Sequence, residues 1–210
     1  MLEQPVYALG PPAAVRNLVH ANAWALLASA NGSEPPVISH LPVLLDPDES
    51  DATVLGHLPR ADADLHRLGE RDVVIVVEGP NNYISPSWYQ DGPYVPTWNY
   101  AVAHLHGRPE VFGDTDTYRV LELTVEHFES ARETPWRLDS VDDFAHSIAP
   151  YAVGFRLRPT RVASKGKLSQ DKPAAVVERV VDALDRDPVH ANRRLAQLMR
   201  DWLAINRSAS

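Results

Sequence analysis

The sequence predicts an α+β fold in which short helices interrupt a barrel-like sheet. Six or more segments carry β-branched runs or an alternation of apolar and polar residues, and both patterns are typical of strands. The helical segments between them are short and irregularly placed, unlike the regular succession found in a parallel α/β sheet. Two amphipathic stripes with helical spacing follow near the end of the chain. These observations together favour an α+β barrel with a helical C-terminus.

The first two strands form a predicted hairpin. Residues 23–30 and 37–45 are apolar segments, and the turn signal Asn31-Gly32 lies between them. Residues 53–58 and 72–77 are predicted as further short strands, the second of them buried. Two later strands are expected at residues 99–112 and 152–162, and in the last of these Val153, Phe155 and Leu157 face one way.

Helices are predicted at residues 12–22, 61–68, 114–131 and 140–147, while residues 79–98 are expected to form a proline-rich loop. The two C-terminal stripes consist of Val176, Val177, Val180, Val181 and Leu184, then Leu195, Leu198, Met199, Trp202 and Leu203. Such stripes pack into a core or against a second subunit. We therefore expect one domain over residues 1–185, with residues 186–210 as its helical extension.

The charge balance argues against a nucleic-acid partner. The formal net charge is −8, the sequence pI is about 5.5 and the basic residues are dispersed, whereas phosphate contacts need clustered Lys and Arg. The chain has no cysteine, which excludes disulfides and thiolate ligands and suits a reducing compartment. Neither a signal peptide nor an apolar stretch of about 18 residues is evident, so a cytoplasmic location without a membrane partner is expected.

Three segments have the composition of a ligand site. The first is residues 56–61 (GHLPRA), the second residues 79–100 (GPNNYISPSWYQDGPYVPTWNY) and the third residues 165–170 (KGKLSQ). Prolines and aromatic rings in the second segment suit the walls of a pocket for a flat ligand, with hydrogen bonds from Ser85, Ser87, Thr97 and Asn99. The alternative interpretation is a proline-stiffened loop whose aromatic side chains only cap the barrel.

Histidine is the residue type most suited to a metal here. Neutral imidazole is a common axial ligand of haem iron and no cysteine competes, so His57 is the candidate iron ligand. His104 and His106 lie two apart on a predicted strand and therefore point to one face, which permits a metal site, although no third ligand stands at a telling spacing.

The same segments resemble a known family. GHLPRA, GPNNYISPSWY, VPTWNYAVAHLHG and KGKLSQ, together with HLPVLLD at residues 40–46, are similar to the characteristic stretches of the PaiB-like "FMN-binding negative transcriptional regulator" family, over roughly residues 1–185. The resemblance implies a split β-barrel, normally a homodimer with a flat cofactor near the subunit interface. This family also contains the piperazate synthases, haem enzymes that cyclise N-hydroxylated L-ornithine by forming an N–N bond.

The resemblance implies a haem b site and a small amino-acid substrate. His57 would bind iron, Arg60 would pair with a propionate, and Asp62, Glu78 and Lys167 are the candidate catalytic residues. The other expected cofactor contacts are Ser85, Ser87, Trp88, Tyr89, Thr97, Trp98, Asn99, Tyr100, Lys167, Ser169 and Gln170.

Departures from the family pattern help to separate the alternatives. Asp62 and Asp171 stand where the family usually has asparagine, and Glu78 stands where it usually has glutamine. Added negative charge is unfavourable beside an FMN phosphate and favourable beside a substrate ammonium group. Haem propionates are also anionic, so these charges separate substrate classes better than cofactors. With the resemblance, the leading prediction is a haem-dependent piperazate-synthase-like enzyme. The alternatives are an FMN-binding regulator or small flavin oxidoreductase and, as a third, a haem-degrading enzyme.

Overall fold

The computed structural model describes residues 1–208. Within these residues, eight strands and seven α-helices alternate irregularly: α1 (Pro12–Ala21), β1 (Trp24–Asn31), β2 (Glu34–Leu45), β3 (Val54–Pro59), α2 (Arg60–His66), β4 (Val73–Ile84), α3 (Pro86–Tyr89), β5 (Thr97–Gly107), β6 (Glu110–Val111), α4 (Asp114–Glu129), α5 (Asp142–Ile148), β7 (Ala152–Leu157), β8 (Arg161–Lys167), α6 (Ala174–Arg186) and α7 (Arg193–Ser208). None of these described helices is both long enough and apolar enough to cross a membrane.

The strands are hydrogen-bonded in the order β6-β7-β3-β2-β1-β4-β5-β8. The hairpin of β1 and β2 is confirmed, with Leu27 opposite Ser39 in an antiparallel register. Its turn contains Gly32 at a φ of +62°, a backbone conformation that glycine adopts without a steric penalty. Local turn chemistry and the apolar pattern therefore determine this part of the sheet.

The chain divides into two compact units. The larger unit comprises residues 12–77 and 103–162, and the smaller unit comprises residues 1–11, 78–102 and the chain from residue 163 onward. The predicted boundary at residue 185 stays a prediction. In the larger unit the core is formed by strand residues that are almost completely buried, among them Leu27, Leu41, Val43, Leu58, Ile75 and Phe155.

The two C-terminal apolar stripes form the core of the smaller unit. Val177, Val180 and Leu184 of α6 and Leu195 and Met199 of α7 are fully buried together. The predicted helices and their buried faces are thus confirmed, because spacing at i, i+3, i+4 and i+7 places apolar side chains on one side of a helix.

Three predicted boundaries differ from the structure. Residues 79–84 continue β4 instead of starting a loop, because pairing in the sheet overrides the low strand propensity of Gly, Pro and Asn. The strand predicted at residues 99–112 ends at Gly107, and only Glu110–Val111 resume it. The strand predicted at residues 152–162 is β7 plus the start of β8, so that Lys165 and Lys167 lie within a strand.

Candidate functional site

Strand β5 divides the predicted site residues of the smaller unit between its two faces. Successive side chains of a strand point in opposite directions. Trp98 and Tyr100 therefore share one face, whereas Thr97 and Asn99 share the other. Trp98 is 51% exposed and Asn99 is completely buried. All four residues were expected to contact one cofactor, but the alternation places them as two pairs on opposite faces of β5.

The face of Trp98 and Tyr100 borders an open cleft of about 310 Å³, which we call the aromatic cleft. It is lined by Glu78, Asn81, Trp98, Tyr100, Ala101 and Val102. The Trp98 indole Nε1 donates a hydrogen bond to Asn81 Oδ1 at 3.3 Å, and the Tyr83 ring meets the Trp98 ring edge-on with a centroid distance of 6.4 Å. These contacts orient an exposed indole that can stack on a flat ligand or accept a cation over its face.

Glu78 supplies the charge of the aromatic cleft. It is the one ionisable carboxylate among the described lining residues, and no Lys or Arg accompanies it. A carboxylate beside an electron-rich ring attracts an ammonium group, while a phosphate or a carboxylate ligand finds no cation here. The cleft therefore favours a ligand with a positive charge.

The opposite face of β5 carries a buried polar group. Asn99 Nδ2 donates to Ser169 Oγ at 2.9 Å, and Asn99 Oδ1 is buried without a hydrogen-bond partner in the described chain. Ser169 has a φ of +67°. Nearby, Lys167 Nζ donates to Thr97 Oγ1, and burial lowers the pKa of the Lys167 ammonium.

Three further predicted contacts have structural partners. Gln170 Oε1 accepts from the Leu168 N–H at 2.6 Å, and its Nε2 donates to the Gly166 carbonyl, so the side chain closes the turn after β8. Ser85 is the N-cap of α3 and accepts from the Ser87 N–H at 3.3 Å. The Ser85 and Ser87 hydroxyls are 2.8 Å apart.

Trp88 and Tyr89 belong to the core of the smaller unit. Trp88 is 8% exposed and Tyr89 is fully buried among α6 and α7 side chains. Trp88 Nε1 donates to Asp187 Oδ2 at 3.1 Å, and the Tyr89 carbonyl accepts from Arg179 Nε at 2.6 Å. Both rings therefore pack in this core, whereas Trp98 is 51% exposed. The alternative in which the aromatic side chains cap the barrel stays a prediction.

His57 lies in the larger unit, on the face of β3 that α4 covers. It is directly opposite Gly154 of β7, and a Cβ added at Gly154 would lie 2.9 Å from Thr117 Cα of α4. The ring is partly exposed, but Nδ1 is buried and has no hydrogen-bond partner within the described chain. Burial lowers the pKa of His57, so the imidazole is neutral near pH 7 and retains a nitrogen lone pair.

Arg60 and Asp62 of α2 are both engaged within the larger unit. Arg60 Nε donates to the Pro150 carbonyl at 2.8 Å, and its Nη2 donates to the Ala152 carbonyl at 3.3 Å. Asp62 Oδ2 accepts from Ser39 Oγ at 2.9 Å. Their predicted contacts with a propionate and with a substrate ammonium group stay predictions.

His66 is a buried polar residue that was not among the site residues predicted from the sequence. The fully buried His66 ring lies between two hydroxyls, with Ser29 Oγ 2.8 Å from Nδ1 and Ser39 Oγ 3.0 Å from Nε2. Because Ser39 also donates to Asp62, a continuous chain of hydrogen bonds connects β1, β2 and α2. The sequence signal that could have indicated this hydrogen-bond network is the presence of serines on the buried faces of β1 and β2. The His104 and His106 rings lie 6.2 Å apart, and the described residues contain no group of three candidate metal ligands.

Comparison with known proteins identifies the fold. A family model described as "Putative FMN-binding domain" matches residues 1–161. The chain is 25% identical over 189 residues to "Protease synthase and sporulation protein PAI 2" of Bacillus subtilis, covering 89% of this chain and 90% of that protein.

Two solved structures resemble the chain at low identity. The FAD and haem binding protein from Mycobacterium smegmatis has a TM-score of 0.57 at 14% identity, covering 80% of this chain and 77% of its own. The conserved hypothetical protein Rv2991 from Mycobacterium tuberculosis has a TM-score of 0.58 at 14% identity, covering 82% and 94%. The predicted α+β split β-barrel is thereby confirmed.

Proposed function

Because this chain belongs to the PaiB-like FMN-binding domain family, we propose that its split barrel serves a haem-dependent enzyme that forms an N–N bond. The substrate is N-hydroxylated L-ornithine and the product is L-piperazate. The chain functions as a homodimer, as the family resemblance implies. The proposed reaction is the leading prediction from the sequence, but fewer of the predicted residues are given a role in it.

The observation that carries the proposal is the charge of the aromatic cleft. Glu78 stands beside Trp98 and Tyr100 without a neighbouring Lys or Arg in the lining. The ammonium group of the amino-acid substrate gains from both the Glu78 carboxylate and the ring faces, while the substrate's own carboxylate finds no cation among these lining residues. An FMN phosphate gains from neither, since phosphates need helix N-termini or basic side chains. We therefore assign the cleft to the ammonium end of the substrate, and neither the substrate's carboxylate nor an anionic part of the cofactor to these lining residues.

The reaction is balanced without an external oxidant or reductant. The α-amine lone pair forms the new bond to the δ-nitrogen, the N–O bond of the hydroxylamine breaks, and the leaving hydroxide takes up an amine proton to give water. Glu78 holds the α-ammonium group of the substrate, which releases one proton to solvent before its lone pair attacks, and the indole of Trp98 orients the chain of the substrate. The Lys167 side chain contacts Thr97, on the face of β5 that points away from Trp98. Lys167 is therefore not assigned to the cleft.

His57 is the residue proposed to hold haem iron. A neutral imidazole with an unpaired ring nitrogen and partial exposure has the chemistry of an axial ligand. Bound haem would supply a Lewis acid. Haem reconstitution of the wild type should give a Soret band that shifts on reduction. Full haem occupancy and an unchanged iron spectrum in His57→Ala would contradict this assignment.

The role of Glu78 is tested by steady-state kinetics with N-hydroxyornithine. Glu78→Gln should raise KM roughly two- to fivefold with little change in kcat, because an exposed ion pair contributes about 1 kcal/mol or less. Asp182→Asn is the matched control, since Asp182 is an exposed acid of α6 outside the cleft. Equal KM values for wild type and Glu78→Gln would remove Glu78 from substrate binding.

The second candidate function is FMN binding, in a regulator or a small flavin oxidoreductase. It is favoured by the description of the matching family model, and PAI 2 is a relative over most of the chain. The exposed Trp98 suits the flat face of an isoalloxazine as well. A two-band flavin spectrum, with FMN released on denaturation and no haem uptake, would put this candidate first.

A further inference from the structure

A line of exposed apolar side chains runs along α5 in the larger unit. Val141, directly before the helix, is 40% exposed, and within the helix Phe144 and Ile148 are 65% and 48% exposed. Tyr151, in the short 3-10 turn that follows α5, is 75% exposed. Spacings of three, four and three residues place these four side chains on one side of a helix. We call the four residues the α5 stripe.

The α5 stripe is large for an apolar surface that faces water. Its four side chains together expose roughly 400 Å², and the largest apolar patch of a typical monomer, about 300–600 Å², is often functional. Another side of α5 is attached to its own unit, because Ala145 is 4% exposed and the His146 ring stacks on Tyr118 of α4 at a centroid distance of 3.9 Å. These contacts hold the stripe at a fixed place on the surface.

The two ends of the α5 stripe carry unpaired charges of opposite sign. At the N-terminal end, the exposed Asp143 side chain makes no hydrogen bond or ion pair within the described chain. At the C-terminal end, the exposed Arg60 guanidinium donates to the carbonyls of Pro150 and Ala152. Among the described residues no carboxylate pairs with Arg60, so its positive charge is not neutralised.

Two copies of the stripe in antiparallel orientation are complementary to each other. Asp143 lies three residues before His146, the middle of the stripe, and Ala149 lies three residues after it. A two-fold rotation about an axis at His146 therefore brings Asp143 of one copy to the level of Ala149 of the other, next to the Pro150 carbonyl that holds Arg60. Each Asp143 then meets an Arg60, with the apolar side chains between the two pairs. Contact of one patch with itself is the geometry of an isologous dimer.

The neighbouring charges and the area agree with this arrangement. Asp142 is already engaged, since it accepts from the Tyr118 hydroxyl at 3.1 Å and contacts His146 Nδ1 at 3.2 Å. A stable interface buries about 800 Å² on each partner, a little more than half of it apolar. The stripe supplies most of that apolar part, and the exposed polar residues beside it supply the rim.

We propose that the α5 stripe is an interface between two copies of this chain, packed antiparallel about a two-fold axis, with Asp143 of each copy paired with Arg60 of the other. The inference rests on the proposed function only in that a homodimer is part of it. It adds the surface that forms the dimer, and it uses none of the residues assigned to iron or substrate.

Sedimentation velocity of the full chain over a range of concentrations measures the dimer. Phe144→Asp should raise the dimer Kd at least about tenfold, because it places a charge inside the apolar contact of both copies. Phe128→Asp is the matched control. Phe128 is 52% exposed but follows Tyr118 by ten residues, about 15 Å along α4, so its Kd should stay within about twofold of wild type.

A charge exchange tests the two ion pairs. Asp143→Arg and Arg60→Asp should each raise Kd roughly three- to tenfold, because each brings like charges together twice in the dimer. The double variant should return Kd to within about threefold of wild type, since both pairs are restored with reversed sign. Its recovery also shows that the single variants do not act by unfolding the chain.

An introduced thiol tests the position of the axis, because the chain has no cysteine. Ser147 is exposed, follows Phe144 by three residues and precedes Tyr151 by four, so it lies on the side of the stripe and close to the axis. Ser147→Cys should form a disulfide-linked dimer on mild oxidation. Ser50→Cys, exposed between β2 and β3, should not.

The outcomes separate this surface from the homodimer itself. A dimer that resists Phe144→Asp, or a double charge variant no better than the single ones, would overturn the α5 interface and leave the proposed function in place. The same holds if Ser147→Cys and Ser50→Cys cross-link equally. A wild type that stays monomeric up to about 200 µM would overturn both the interface and the homodimer, whereas haem binding and the Glu78→Gln kinetics are measured independently.

Discussion

Replacing Gly154 with alanine tests how closely α4 packs on β7. The new Cβ would lie 2.9 Å from Thr117 Cα, 3.1 Å from its Oγ1 and 3.3 Å from its Cβ. The nearest atom is backbone, so rotation of a side chain cannot relieve the contact, and α4 must move. The same movement stretches the hydrogen bond in which the Gly154 N–H donates to Thr117 Oγ1 at 3.0 Å.

The expected loss of stability is about 2 kcal/mol. Overpacking of a well-packed contact costs about 1–3 kcal/mol, and a weakened buried hydrogen bond adds up to about 1 kcal/mol. The lower conformational entropy of alanine in the unfolded chain offsets about 0.4–1 kcal/mol. For a chain of this length, about 2 kcal/mol corresponds to a decrease in Tm of about 4–8 °C.

Urea unfolding and scanning calorimetry measure the effect, with Gly113→Ala as the control. Gly113 precedes α4, has a φ of −73° and would place its Cβ in open space, so its change in unfolding free energy should stay within about 0.5 kcal/mol. If Gly154→Ala were no more destabilised than Gly113→Ala, close packing of α4 on this face of β7 would be refuted.

Two further predictions concern buried polar groups. Tyr89→Phe should increase the free energy of unfolding by about 1 kcal/mol, because the Tyr89 hydroxyl is buried without a hydrogen-bond partner in the described chain. Urea unfolding measures the change, and a decrease of about 1 kcal/mol would show that the hydroxyl does have a hydrogen-bond partner. Burial lowers the pKa of folded His66 below the usual histidine value of about 6.5. The unfolded chain therefore binds more protons, and stability should fall as the pH decreases below about 6.5. The fall in Tm between pH 7.5 and pH 5.5 should be smaller in His66→Gln, and an equal fall would assign it to other groups.

The parts of the fold that were predictable are those determined by local pattern. The β1–β2 hairpin follows from two apolar runs and an Asn-Gly turn, and α6 and α7 follow from apolar residues at helical spacing. The second half of β4 was missed, because its Gly, Pro and Asn residues disfavour a strand locally and only pairing within the sheet makes them one.

The sequence by itself determined the fold class, the absence of cysteine chemistry and the aromatic segment that contains the candidate site. The tertiary structure decided which aromatic side chains are available, since the core formed with α6 and α7 buries Tyr89 while Trp98 stays open beside Glu78. It also brought together His66, Ser29 and Ser39, which are far apart in the chain. The physical reason is that periodicity states which side chains share a face, whereas long-range packing decides which face is covered.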